Sequence, residues 1–125
     1  MIVFAILGLV ILLSLTIFQI LLILGKPFGE FAWGGQHKVL PKKLRVASAT
    51  SIVLYAVFAI FLASKSGLVD IITLQPLLTI VMWVFTSYFF LGIVMNFASR
   101  NKKEQAVMTP VATALAVVFL IVTLS

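Results

Sequence analysis

The sequence predicts an all-α membrane protein: a bundle of four transmembrane helices, built as two antiparallel hairpins, with both termini outside. Three observations predict it. First, four long apolar runs fill the chain, at 2–24, 44–63, 71–98 and 106–124, and only Arg45 puts a charge in any of them. About 20 apolar residues rise about 30 Å as a helix, which matches the hydrocarbon thickness of a bilayer. Second, 63% of the 125 residues are hydrophobic and 10% are charged, where soluble domains carry about 25% charged residues. Third, the nine Lys and Arg cluster in the connections between the runs. Four spans leave no room for a separate soluble domain, so residues 1–125 form one transmembrane domain.

The first span, 2–24, follows Met1 directly. A secretory signal opens with a basic stretch before a short apolar one, but here the first positive charge, Lys26, comes after the run. Residues 1–24 are therefore expected to remain as a spanning helix. Gly25 with Pro27 just beyond is the usual helix stop. The connection 25–43 is long for a helix bundle and carries Phe28, Phe31 and Trp33 among Gly29, Gly34 and Gly35. Trp favours the membrane–water interface, where its ring is half apolar, so this segment reads as an interfacial flap. A re-entrant turn is the alternative, and it needs partners for its backbone polar groups.

Pro41 suits the start of the second span, 44–63. Its small residues Ala47 and Ser51, and Ala59 and Ala63, stand four apart, a spacing that lets helices approach closely. Ser64-Lys65-Ser66-Gly67 closes a hairpin. Pro76 marks the first turn of the third span, expected over 74–98, in which Tyr88, Gly92 and Asn96 share one face. Pro110 either starts the regular part of the fourth span, 106–124, or kinks it.

Charge sets the orientation. The first and third connections hold Lys26, Lys38, Lys42, Lys43, Arg45, Arg100, Lys102 and Lys103, while the second holds only Lys65. Cytoplasmic loops carry the excess of Lys and Arg, so the flap faces the cytoplasm. Lys38, Lys42, Lys43, Arg45, Arg100, Lys102 and Lys103 are then expected at anionic lipid headgroups. The net charge of +6 reports topology and lipid contact and implies no nucleic acid.

The chain has no cysteine, which removes disulfides, thiolate metal sites and Cys nucleophiles. No span has an acidic or basic residue at its centre, which argues against a proton-driven transporter. The uncharged polar residues favour the flap end: Gln19, Ser48, Ser51, Asn96, Ser99, Thr109 and Thr113 fall at similar depth in four antiparallel helices. They are expected either to bond between helices or to surround a small polar cavity roofed by the flap. Asn96 is expected to face the bundle, with Ser48, Ser51 or Gln19 as partner. Glu30 and His37, with Gln36 beside them, are the one acid–base pair close in sequence. They can serve proton transfer or simply stand in a solvated loop. No metal, phosphate-loop or nucleophile-elbow motif is present, and no cofactor is implied.

The stretch Gly25-Lys26-Pro27-Phe28-Gly29-Glu30-Phe31-Ala32-Trp33-Gly34-Gly35, followed by Leu40-Pro41-Lys42-Lys43-Leu44-Arg45-Val46-Ala47-Ser48, resembles an uncharacterised family of small four-span bacterial, mainly Gram-positive, membrane proteins. Asn96-Phe97-Ala98-Ser99-Arg100 and Thr109-Pro110-Val111-Ala112 fit the same pattern. The resemblance implies a bacterial plasma membrane and no particular activity.

Three functions fit these residues. The leading one is a non-enzymatic membrane protein that binds a partner protein, a lipid headgroup or a small ligand at its cytoplasmic face. Its expected binding residues are Phe28, Glu30, Trp33, Gln36, His37, Asn96, Ser48 and Gln19, and its partners are membrane lipids, another membrane protein or a second copy. The second is an oligomeric transporter or channel, which needs a homo-oligomer because four helices are too few for a wide pore. The third is a lipid-modifying enzyme using Glu30 and His37.

Overall fold

The structure is a computed structural model describing residues 1–125. It holds four helices, each long and apolar enough to cross a membrane: α1 (Ile2–Ile23), α2 (Lys42–Ser66), α3 (Gln75–Phe97) and α4 (Lys102–Leu124). The chain thus has the build of a multi-pass membrane protein.

Local sequence sets the helix ends. Gly25 takes φ +85°, and its N–H donates to the Leu22 carbonyl at 3.1 Å while Lys26 N–H donates to Leu21 at 3.0 Å. This left-handed glycine cap satisfies the last carbonyls of α1. Gly67, at φ +86°, ends α2 the same way, with Leu68 N–H on the Ala63 carbonyl at 3.0 Å. Pro76 stands in the first turn of α3, where its missing N–H leaves no helical bond unmade. Asn101 caps α4, its side chain accepting from the N–H groups of Lys103 at 2.9 Å and Glu104 at 3.3 Å.

Two boundaries differ from the sequence expectation. α2 begins at Lys42 and runs to Ser66, and α4 begins at Lys102. Both gain a charged first turn, because the helix continues past the end of the apolar run into the polar end of the bundle. Pro110 does not start α4 but lies inside it. Lacking an N–H, it cannot bond the Ala106 carbonyl one turn earlier.

α1 packs against α2 and α3 against α4, and contacts of α1 with α4 and α2 with α3 join the pairs. Since lipid is as apolar as the side chains, close fit holds such a bundle more than the hydrophobic effect does. Gly8 shows that fit: a Cβ there would lie 2.6 Å from Leu62 Cδ2 and 2.9 Å from Val118 Cγ1. The centre is aromatic. The Phe58 ring centroid lies 4.6 Å from Phe85 and 4.9 Å from Phe89, and Phe89 lies 4.8 Å from Phe119. The hydroxyls of Thr86 and Thr123 meet between α3 and α4 at 3.2 Å, so neither is left unpaired in the core. Outward side chains such as Leu13, Val53, Ile80 and Met95 are exposed and apolar, as on a surface facing hydrocarbon.

The flap (residues 25–41) and the α3–α4 connection (98–101) share one end of the bundle, linked by a 3.1 Å bond from Asn101 Nδ2 to the Gly35 carbonyl. At the opposite end Lys65 Nζ donates to the Ser125 carbonyl at 2.9 Å.

Candidate ligand site

The flap is a closed loop bonded to two helices, α2 and α4. Gly29 N–H donates to the Lys38 carbonyl at 2.8 Å, closing its base. Two single 3₁₀ turns follow, Gly29–Phe31 and Trp33–Gly35. Trp33, Gly34 and Gly35 take φ of +53°, +79° and +69° in succession, and Trp33 is the one non-glycine residue with positive φ. A bulky residue stays in that region only where its surroundings hold it.

Those surroundings are specific. Trp33 Nε1 donates to Ser48 Oγ on α2 at 3.1 Å. Gly34 N–H donates to the Glu104 carboxylate on α4 at 3.1 Å. Lys103 forms an ion pair with Glu30, and Arg45 Nε donates to the Leu40 carbonyl at 2.8 Å. The carboxyl of Glu30 is held below its ordinary range, first by the Lys103 hydrogen bond, then by the Lys103 charge, with Lys38 adding to it. Glycine is required at two approaches. A Cβ on Gly29 would strike the His37 carbonyl oxygen, and one on Gly35 would strike the Asn101 side chain.

Beneath the flap lies a cavity of about 220 Å³, whose roof is Phe31, Ala32 and Trp33 and whose polar lining includes Gln19, Ser51, Tyr55, Asn96 and Glu104. Gln19 is 6% exposed. Its Nε2 donates to the Tyr55 hydroxyl at 3.3 Å, while its Oε1 is buried with no partner. Leaving a buried amide oxygen unpaired costs about 1–3 kcal/mol, and this one belongs to a residue that lines the cavity. Glu104 is 7% exposed and is the cavity's only charged lining residue; no Lys, Arg or His lines it. The site can therefore accept hydrogen bonds, and its lining holds an acid and no base.

The structure gathers some of the sequence-expected residues and disperses others. Gln19, Trp33 and Asn96 line the cavity. Ser48 is fully buried and holds the roof through Trp33. Phe28 lies over an apolar groove outside the cavity. Gln36 and His37 are exposed on the flap. Glu30 pairs with Lys103 and makes no ion pair with His37. Asn96 bonds none of its expected partners on α1 or α2; its Nδ2 donates to the Gly92 carbonyl of its own helix at 2.8 Å. A short amide reaches the carbonyl one turn back, and Gly92 has no side chain in the way. Ser99, Thr109 and Thr113 do not line the cavity. Among the expected headgroup residues, Arg45 and Lys103 bond within the protein, whereas Lys38, Lys42, Lys43, Arg100 and Lys102 are exposed.

Three contributors escaped the sequence reading. Glu104 and Asn101 form the spacing of a helix capping box, a signal present in the sequence. Here the glutamate turns from its own helix to the flap. Tyr55 stands one turn after Ser51 on the same face, the only tyrosine of its span. No group of three or more His, Asp or Glu residues is placed to hold a metal ion.

Comparison with protein-family models, with curated proteins and with solved structures found no match.

Proposed function

We propose that the protein is a non-enzymatic, multi-pass binding protein of a bacterial plasma membrane, with both termini outside and its ligand site on the cytoplasmic side beneath the flap. The observation that carries this reading is Gln19. Its acceptor oxygen is unpaired in a cavity that also offers Asn96, Ser51 and Glu104, and whose roof is held in a strained backbone conformation. Orientation rests on the eight basic residues at the flap end against one at the other, following the positive-inside rule. The exposed lysines then contact anionic headgroups. Binding is favoured over catalysis by Glu30 and His37 because neither lines the cavity and Glu30 is engaged by Lys103.

The test is ligand-linked stability. A ligand that binds only the folded state raises the unfolding midpoint. Protein stripped of lipid by detergent exchange should gain stability when a small-molecule extract of native membranes is returned. Ser51→Leu, which fills the cavity from α2, should fold but gain nothing. An extract that stabilises both proteins equally, or neither, contradicts the reading.

A further inference from the structure

Outside the cavity a groove of about 660 Å³ runs between α1 and α4 under Phe28 and Phe31, lined by Val10, Ile17 and Val107 among others, with Ser14 its single polar residue. Ser14 Oγ is already bonded to the Val10 carbonyl at 2.9 Å, so the groove offers hydrocarbon contact alone. Near the other end Gly8 brings α1 against Val118 of α4; toward the flap the same two helices leave the groove between them. Leu15, Phe18, Phe31, Met108 and Val111 line both spaces. The same five side chains thus wall the polar cavity and floor the apolar groove.

We infer that the ligand is a single-chain amphiphile taken laterally from the bilayer, its alkyl chain in the α1–α4 groove and a non-anionic, hydrogen-bond-donating head at Gln19 in the cavity. This deepens the proposed function and rests on it. Size supports two compartments: small-molecule sites measure about 300–1,000 Å³, so the cavity of about 220 Å³ takes a head but not a whole ligand. Chemistry selects the head. The unpaired Gln19 Oε1 needs a donor. The Glu104 carboxylate, with no cation lining the cavity, disfavours phosphate and carboxylate. The groove faces hydrocarbon, so a chain enters without crossing water, and Phe31 and Met108 belong to the thin partition that the two spaces share.

Trp33 reports the head directly once Trp83 is replaced by phenylalanine. The probe is a monoacylglycerol brominated on the chain close to the head, added to phosphatidylcholine vesicles containing the protein. Bromine quenches indole on contact, so occupancy should give saturable quenching of Trp33 at a few mole per cent. The methyl ester of the same chain has no donor, and the lysophosphatidate has an anionic head; both should quench only in proportion to concentration. Gln19→Leu should weaken the saturable component about fivefold to tenfold, the equivalent of one hydrogen bond. Val107→Phe, at an exposed groove position that leaves the core untouched, should abolish it. Unsaturable quenching by the monoacylglycerol overturns the inference, as does saturable quenching unchanged in Val107→Phe or equal for the lysophosphatidate. If the native extract stabilises the wild type but not Ser51→Leu while the monoacylglycerol fails, the cavity reading stands and this inference alone falls.

Discussion

Gly34 N–H and the Glu104 carboxylate meet at 3.1 Å, joining the tip of a glycine-rich loop to the first turn of a helix 70 residues away. The acid is buried, 7% exposed, and the bond is charge-assisted, so losing it costs more than losing a neutral one. Glu104→Leu should lower stability in detergent by about 1–3 kcal/mol and raise hydrogen exchange at the flap amides. Glu104→Gln, which keeps an acceptor oxygen, should retain most of the protection. Flap exchange unchanged in Glu104→Leu would show that the bond does not hold the roof.

The Glu30–Lys103 pair makes flap closure depend on pH. The folded carboxyl lies below its ordinary value of 4.5, so its contribution is present above that value and is lost as pH falls through the lowered one. The pair is partly exposed, with Lys103 62% accessible, so the effect is modest and salt-sensitive. Flap protection should weaken on acidification below about pH 4.5, and Glu30→Gln should remove that part of the pH dependence. An identical acid profile in Glu30→Gln would assign the dependence to another group.

The flap glycines should rank by what a methyl group would meet. Gly34 has positive φ but open space around it, whereas Gly35 has positive φ and Asn101 against it. Gly35→Ala should therefore destabilise more than Gly34→Ala, with strain of about 1–3 kcal/mol common to both. Gly29→Ala presses on the His37 carbonyl, a backbone atom that moves only with the flap. Thermal midpoints of the three variants check the order, and equal midpoints would show the flap to be loosely seated.

Orientation is open to single introduced cysteines, because the chain has none. Ser66→Cys should label with an impermeant maleimide from outside intact cells. Gln36→Cys, exposed on the flap, should label only after the membrane is opened. The reverse pattern would turn the bundle over.

The fold is legible in the sequence because the bilayer imposes it. Chain length per span, the Gly25 stop and the Pro76 start each have one local cause. The boundaries of α2 and α4 are less legible, since Lys42–Lys43 and Lys102–Glu104 are helical yet lie beyond the apolar runs that mark the spans. At the site, Gln19, Trp33 and Asn96 stand out as polar or amphipathic residues in apolar surroundings. The role of Glu104 does not, because acids in a first helical turn usually serve their own helix. Only the tertiary placement of Gly34 shows that this one serves the flap. The partner of Asn96 differs from the expected one for a related reason: a bond to its own backbone satisfies the amide without a neighbouring helix.

The central claim is that the cavity under the flap holds a ligand, and Asn96 tests it most directly. Its Nδ2 is satisfied by Gly92, so Asn96→Leu removes a group facing the cavity while breaking no bond between helices. The measurement is native mass spectrometry of protein released from its own membrane. The wild type should carry one bound non-protein mass, and Asn96→Leu should lose it while unfolding within a few degrees of the wild type. A wild type with no bound mass, or Asn96→Leu retaining it at equal occupancy, would contradict the claim.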